Sequence, residues 1–107
     1  MNTQKTISKK TLFKLGNIYI SKGILNSIDG SLEFSAFVIN SLEKHKQGNW
    51  GDLCRDDMEL NEYGLIEGER LFSSYLIPDS INSFSKKIYI ITEWNRSATT
   101  ILFPIEY

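Results

Sequence analysis

One cysteine and one histidine in 107 residues leave little material for several kinds of chemistry. Cys54 alone cannot close an intrachain disulfide, and Cys54 with His45 cannot complete a four-ligand zinc site. With only two prolines, seven glycines and no low-complexity tract, the chain is neither collagen-like nor a linker. No apolar run approaches the roughly 20 residues of a membrane span, and the first twelve residues lack the apolar stretch of a signal peptide. A reduced, cytoplasmic setting is the expectation, without a membrane partner. Twelve bases against thirteen acids give a net charge of −1, a total that points neither to nucleic acid nor to an anionic surface. What is present is ordinary for a globular protein: 41% hydrophobic and 23% charged residues, in a length suited to one domain.

The pattern of residues predicts an α+β domain. Residues 1–11 are polar, basic and without periodicity, and are expected to form a flexible arm, leaving 12–107 as the domain. Leu12 to Ile20 is rich in β-branched and aromatic types and predicts a strand, with Gly16 as a bulge. Ser21 is placed to cap a short helix through Ile28, and Ser31 to cap a longer one reaching about Gln47, closed by Gly48. On that second helix Phe34, Val38, Leu42 and His45 share a stripe, widened by Phe37 and Ile39, which marks its core face. A third helix is expected from about Leu53 to Glu67 with Gly68 as its stop. Its inner arc would hold Leu53, Cys54, Met58, Leu60 and Leu65, and its outer face Asp56, Glu59, Glu62 and Glu67. Three strand patterns follow, Arg70 to Ile77, Lys87 to Glu93 and Ala98 to Phe103, and closely spaced strands of this kind predict an antiparallel meander. The expected architecture is a single antiparallel sheet, joined by the Leu12 to Ile20 strand, with the helices packed on one face. Trp50, between two glycines in a short connection, is expected to anchor that turn to the core.

Charge is unevenly spread. Residues 1–22 hold five lysines (Lys5, Lys9, Lys10, Lys14, Lys22) and no acid, whereas residues 52–69 hold seven acids against Arg55 alone. An acidic helix face can dock into a basic groove that ordinarily holds nucleic acid, because complementary fields favour the encounter. The lysine arm could touch nucleic-acid phosphates, but residues 1–12 lack aromatic side chains for stacking bases, so a direct nucleic-acid role is not favoured. Catalytic sets are missing. Cys54 sits among Asp52, Asp56 and Asp57, which disfavour a thiolate. A calcium loop starting at Asp52 would need an oxygen ligand at Cys54 and glycine at Asp57. No phosphate-binding glycine loop or hydrolase elbow occurs. The expectation is therefore a protein that is not an enzyme, with no catalytic, cofactor-binding or metal-binding residues. Its partner-binding candidates are Asp56, Glu59 and Glu62 on the third helix, with Arg70, Glu93 and Arg96 around the C-terminal strands.

The stretches His45-Lys46-Gln47-Gly48-Asn49-Trp50-Gly51-Asp52, Gly68-Glu69-Arg70-Leu71-Phe72-Ser73-Ser74-Tyr75 and Lys87-Ile88-Tyr89-Ile90-Ile91-Thr92-Glu93, with Arg96-Ser97-Ala98-Thr99-Thr100-Ile101-Leu102, carry a resemblance. They are similar to a family of small bacterial proteins found on mobile elements and labelled as plasmid-related. Asn49 where an acid is common, a longer loop at Pro78 to Lys86 and the lysine arm depart from that pattern. Small proteins of mobile elements commonly act by binding a host macromolecule, and together with the acidic third helix and the missing catalytic sets this becomes the expectation here. Inhibitors of RNA-guided nucleases, the anti-CRISPR class, are the leading expectation, with a CRISPR effector as the protein partner. A plasmid maintenance or regulatory module that binds protein or nucleic acid is the alternative.

Overall fold

The computed structural model describes residues 11–107, so the expected basic arm lies, but for Thr11, outside the described residues. The chain runs through β1 (Asn17–Ile20), α1 (Lys22–Asp29), α2 (Leu32–Lys46), α3 (Arg55–Glu67), β2 (Leu71–Leu76), β3 (Lys87–Thr92) and β4 (Ala98–Leu102), then a 3₁₀ turn at Pro104–Glu106. The four strands form one sheet in the order β1-β4-β3-β2. The α+β assignment holds, and β2, β3 and β4 form the expected antiparallel meander.

The expectation of a wholly antiparallel sheet fails at β1, which pairs parallel with β4 (Asn17 with Ala98 through Ile20 with Ile101). Topology explains this. The three helices form one long crossover from β1 to β2, the kind of connection that parallel strands require. The meander then walks back across the sheet until β4 lies beside β1. The first strand is also shorter than expected. Gly16 is not a bulge but the point of closest approach to the next turn: at φ +67° it presses on Ser97, whose carbonyl carbon would lie 2.3 Å from any added Cβ. Residues 12–15 therefore leave the sheet, and Phe13 turns toward the core.

Both serine caps are present. Ser21 Oγ accepts from Ile24 N–H and Ser31 Oγ from Phe34 N–H, satisfying donors that a helix start leaves free. At the other end of α3, Gly68 takes the left-handed conformation at φ +73° and closes the helix onto the Gly64 carbonyl. Helices α1 and α2 cover one face of the sheet, where Ile24, Phe34 and Val38 pack with Tyr75, Ile88, Ile90, Ile101 and Phe103. On the stripe of α2, Ile39 faces solvent, against expectation, and Ser41 is buried instead, its hydroxyl donating to the Phe37 carbonyl.

The third helix does not join the other two on that face. It runs along the outer edge of β2, where the Asn61 side chain donates to Phe72 O at 2.7 Å and accepts from Phe72 N–H at 3.0 Å. One residue pair further on, Ser74 N–H donates to Trp50 O and Asp52 N–H donates to Ser74 O. The edge of β2 is thus closed by a side-chain amide and a short extended segment, which removes a template for unwanted strand pairing.

The C-terminal turn closes the fold on α1. Glu106 accepts from Ser21 Oγ, from Gly23 N–H at 2.9 Å and from Phe103 N–H at 2.9 Å, placing a carboxylate at the positive start of the helix. Desolvation pushes this carboxyl up, but the hydrogen bonds from Ser21, Phe103 and Gly23 outweigh it and hold the group below its usual range. Its stabilising contribution is therefore present above the ordinary carboxylate pKa and is lost as pH falls. Glu106→Ala is expected to lower the unfolding free energy by about 1 kcal/mol, the scale of a lost helix cap, in denaturant titrations at neutral pH. An unchanged midpoint would remove Glu106 from the list of fold-closing contacts.

Candidate functional site

Two polar regions emerge from this scaffold, one sealed inside and one spread over the outside of α3. The inner one centres on His45, which is fully buried at the C-terminal end of α2. Its Nδ1 lies 2.6 Å from Ser73 Oγ and its Nε2 lies 2.8 Å from Thr92 Oγ1. Thr92 Oγ1 is 2.7 Å from Thr99 Oγ1, which donates to the Leu15 carbonyl at 2.7 Å. A carbonyl can only accept, so the direction of the chain follows from its end. Thr99 gives its proton to Leu15, Thr92 gives its own to Thr99, and His45 therefore donates from Nε2 to Thr92. Nδ1 is left to accept from Ser73. Phe13 meets the imidazole edge-on at 5.2 Å and Trp50 at 5.8 Å.

Burial, and next the positive charge of Arg96, pull the His45 pKa down to about 3 from the ordinary 6.5, so the ring is neutral. A serine hydroxyl donating to an imidazole is the geometry of an activated nucleophile. Here Ser73 and His45 are both fully buried, the Nε2 proton is committed to Thr92, and neither residue lines a described cleft. This set ties α2, β2, β3, β4 and the segment before β1 into one core. Both ring nitrogens of His45 are thus satisfied by hydroxyls.

The outer region is α3. Its buried residues are Asn61 and Gly64, and Gly64 fits because an added Cβ would lie 3.1 Å from Leu71 Cδ2. Away from that side the helix exposes Asp56, Glu59, Leu60, Tyr63, Ile66 and Glu67, all within an arc of about 120° at 100° per residue, with Leu60 at the margin nearest Gly64. Leu60, Tyr63 and Ile66 are 65%, 58% and 81% exposed. The inner arc expected from the sequence is corrected accordingly: Leu60 and Cys54 are exposed, while Met58, Leu53 and Leu65 are half-buried. The helix was legible as acidic; its apolar outer residues were missed. The available signal was Gly64, three residues after Asn61, since a small residue marks where a helix backbone approaches its neighbour.

The six expected partner-binding residues divide. Asp56 and Glu59 are exposed on the α3 face, with Glu59 Oε2 at 3.7 Å from Arg55 Nε in a fully solvated pair. Glu62 is a brace: its Oε2 accepts from Trp50 Nε1 at 2.8 Å. Arg96 is another. It sits at φ +58°, donates to the Gly64 carbonyl at 2.8 Å and to the Glu69 carbonyl, and so holds a cation at the negative end of α3. Within its turn Arg96 reaches the backbone of Glu93, donating from Nη1 to the carbonyl at 3.2 Å, so Glu93 contributes its main chain to this clamp. Arg70 is exposed, donates to Tyr107 Oη at 2.7 Å and lies 5.4 Å from the centre of that ring. It lines a groove of about 460 Å³ with Asp57, Leu60, Asn61, Phe72, Tyr89 and Tyr107, between α3 and the face of the sheet that carries Phe72 and Tyr89.

Among the described residues no group of three or more His, Cys, Asp or Glu side chains could hold one metal ion. No described helix is long and apolar enough to cross a membrane. Comparison with protein-family models, with curated proteins and with solved structures finds no match.

Proposed function

We propose that this chain is a cytoplasmic binding protein of a bacterial mobile element, acting as an anti-CRISPR inhibitor. In this reading α3 occupies a basic, nucleic-acid-handling surface of an RNA-guided nuclease. The observation that carries the reading is the outer face of α3, where three large apolar side chains stand exposed among Asp56, Glu59 and Glu67. A helix face that serves only as a solvated surface gains nothing from Tyr63 and Ile66 in water, whereas a protein interface uses such residues as anchors within a charged rim. The rim carboxylates steer the encounter and the apolar residues slow dissociation. The groove beside Arg70 favours the second reading, a plasmid maintenance or regulatory module, because Phe72, Tyr89 and Tyr107 next to a guanidinium suit a nucleic-acid base.

The test is cleavage of target DNA by a purified effector from a host of this mobile element, loaded with its guide RNA, in the presence of the protein. The wild type is expected to inhibit. A variant with Asp56→Lys, Glu59→Lys and Glu67→Lys is expected to associate more slowly and to lose the salt dependence of binding, and Tyr63→Ala with Ile66→Ala to dissociate faster. These five positions lie outside the core, so circular dichroism should be unchanged in all of them. Cleavage that proceeds at full rate at every concentration of wild type would sink the inhibitor reading, and recovery of DNA or RNA by the protein alone would favour the module.

A further inference from the structure

The two edges of the sheet are treated differently. On β2 the outward backbone groups of Phe72 and Ser74 are taken by Asn61, Trp50 and Asp52. On β1, Asn17 N–H donates to Ser97 O at 3.0 Å and Ser21 N–H to Ile101 O at 2.9 Å. With the parallel register, this turns Asn17, Tyr19 and Ser21 toward β4. The alternation of a strand then sends the N–H and C=O of Ile18 and Ile20 outward. Among the described residues no backbone hydrogen bond reaches those groups from the outer side. The side chains are open as well, with Ile18, Tyr19 and Ile20 41%, 53% and 42% exposed. An apolar strand with an unpaired edge is a template for another strand.

Charge selects what can pair there. Lys14 and Lys22 bracket β1 and are both exposed, and residues 1–22 contain no acid. A second copy turned antiparallel about Ile18 would set Lys22 of one chain opposite Lys14 of the other, a like-charge contact that opposes self-pairing. The same lysines attract a strand that ends in carboxylates, so repulsion of self and attraction of the partner come from the same residues. We propose that the outer edge of β1 is a docking site for an extended segment of another protein, apolar at its centre and flanked by Asp or Glu, which adds to the sheet as a fifth strand. This surface lies at the opposite edge from α3 and does not depend on what α3 binds.

The test uses the full ¹⁵N-labelled chain and the synthetic peptide acetyl-Asp-Glu-Val-Thr-Val-Thr-Glu-Asp-amide. In the free protein the Ile18 and Ile20 amides are expected to exchange rapidly with solvent, and on adding the peptide to become protected, with shift changes centred on β1. A peptide with lysines in place of the acids should bind at least about tenfold more weakly, and the variant Lys14→Glu with Lys22→Glu should invert that preference. Both lysines are exposed, so the variant keeps the fold. Protected Ile18 and Ile20 amides in the free chain would overturn the proposal, with sedimentation showing whether a second copy or the chain itself covers the edge. Shifts confined to other elements, or equal binding of the acidic and basic peptides, would overturn it as well.

Discussion

Trp50→Ala is expected to lower the unfolding free energy by about 3 to 5 kcal/mol, the range for removing a fully packed large aromatic ring. The indole is 3% exposed, stacks on Phe13 at 6.2 Å and meets His45 edge-on. Its Nε1–H is held by Glu62, and its main-chain carbonyl accepts from Ser74 N–H, so one residue links the turn after α2, the acidic helix and the edge of β2. Truncation opens a cavity against two rings and leaves the Glu62 carboxylate without its donor. Trp50→Phe fills most of that cavity and is expected to cost less, chiefly the lost hydrogen bond. Denaturant titrations at neutral pH decide the matter: a loss below about 1 kcal/mol for Trp50→Ala would show that the surrounding rings do not depend on the indole.

Acid is the second strong lever on this fold. His45 is held neutral, its pKa pulled down to about 3, whereas the unfolded chain protonates it near 6.5. Between those values the unfolded state binds a proton that the native state refuses, so stability is complete above pH 6.5 and falls as pH drops. At about 1.4 kcal/mol per unit the loss across the whole window reaches about 5 kcal/mol. That is comparable with the total stability of a small domain, so the native state should open before the imidazole titrates in place. The measurement is the slope of unfolding free energy against pH between about pH 7 and about pH 4.5. His45→Gln removes the titrating group and should flatten that slope, while the carboxylates, Glu106 among them, contribute equally to both proteins. Should the variant fail to fold, the imidazole carbon shifts of the wild type give the same answer, and a native His45 titrating near pH 6.5 would refute the assignment.

The α3 surface and the β1 edge differ from these two tests in kind. Their residues contribute little to the core, so substitutions there read binding without an accompanying loss of fold. Glu62 shows why the distinction matters. By sequence it is equivalent to Asp56 and Glu59 as an exposed acid, but a charge reversal at Glu62 would disturb Trp50 and be misread as a lost contact. Arg96 carries the same hazard, since it holds the C-terminal end of α3 through backbone carbonyls.

Much of the local structure was legible because its causes are local. Ser21 and Ser31 are followed by helical patterns and cap them; Gly68 ends α3 because only a residue tolerant of positive φ can close it; the last three strands announce themselves by composition and short turns. The acidity of residues 52–69 and the lysines of residues 1–22 are likewise properties of the sequence alone. The rest depended on distance through space. The parallel pairing of β1 follows from where a crossover of three helices returns, which no window of residues encodes. Leu60 was expected inside because it is apolar, yet α3 meets the edge of β2 through Asn61 and Gly64, so close approach of two backbones overrode hydrophobic periodicity. The partners of His45 come from β2 and β3, far along the chain, and its neutrality is a consequence of burial. Charge, caps and strand composition are written residue by residue. Which charges become braces, which apolar side chains remain outside and which strand edge stays open are settled only when the elements pack.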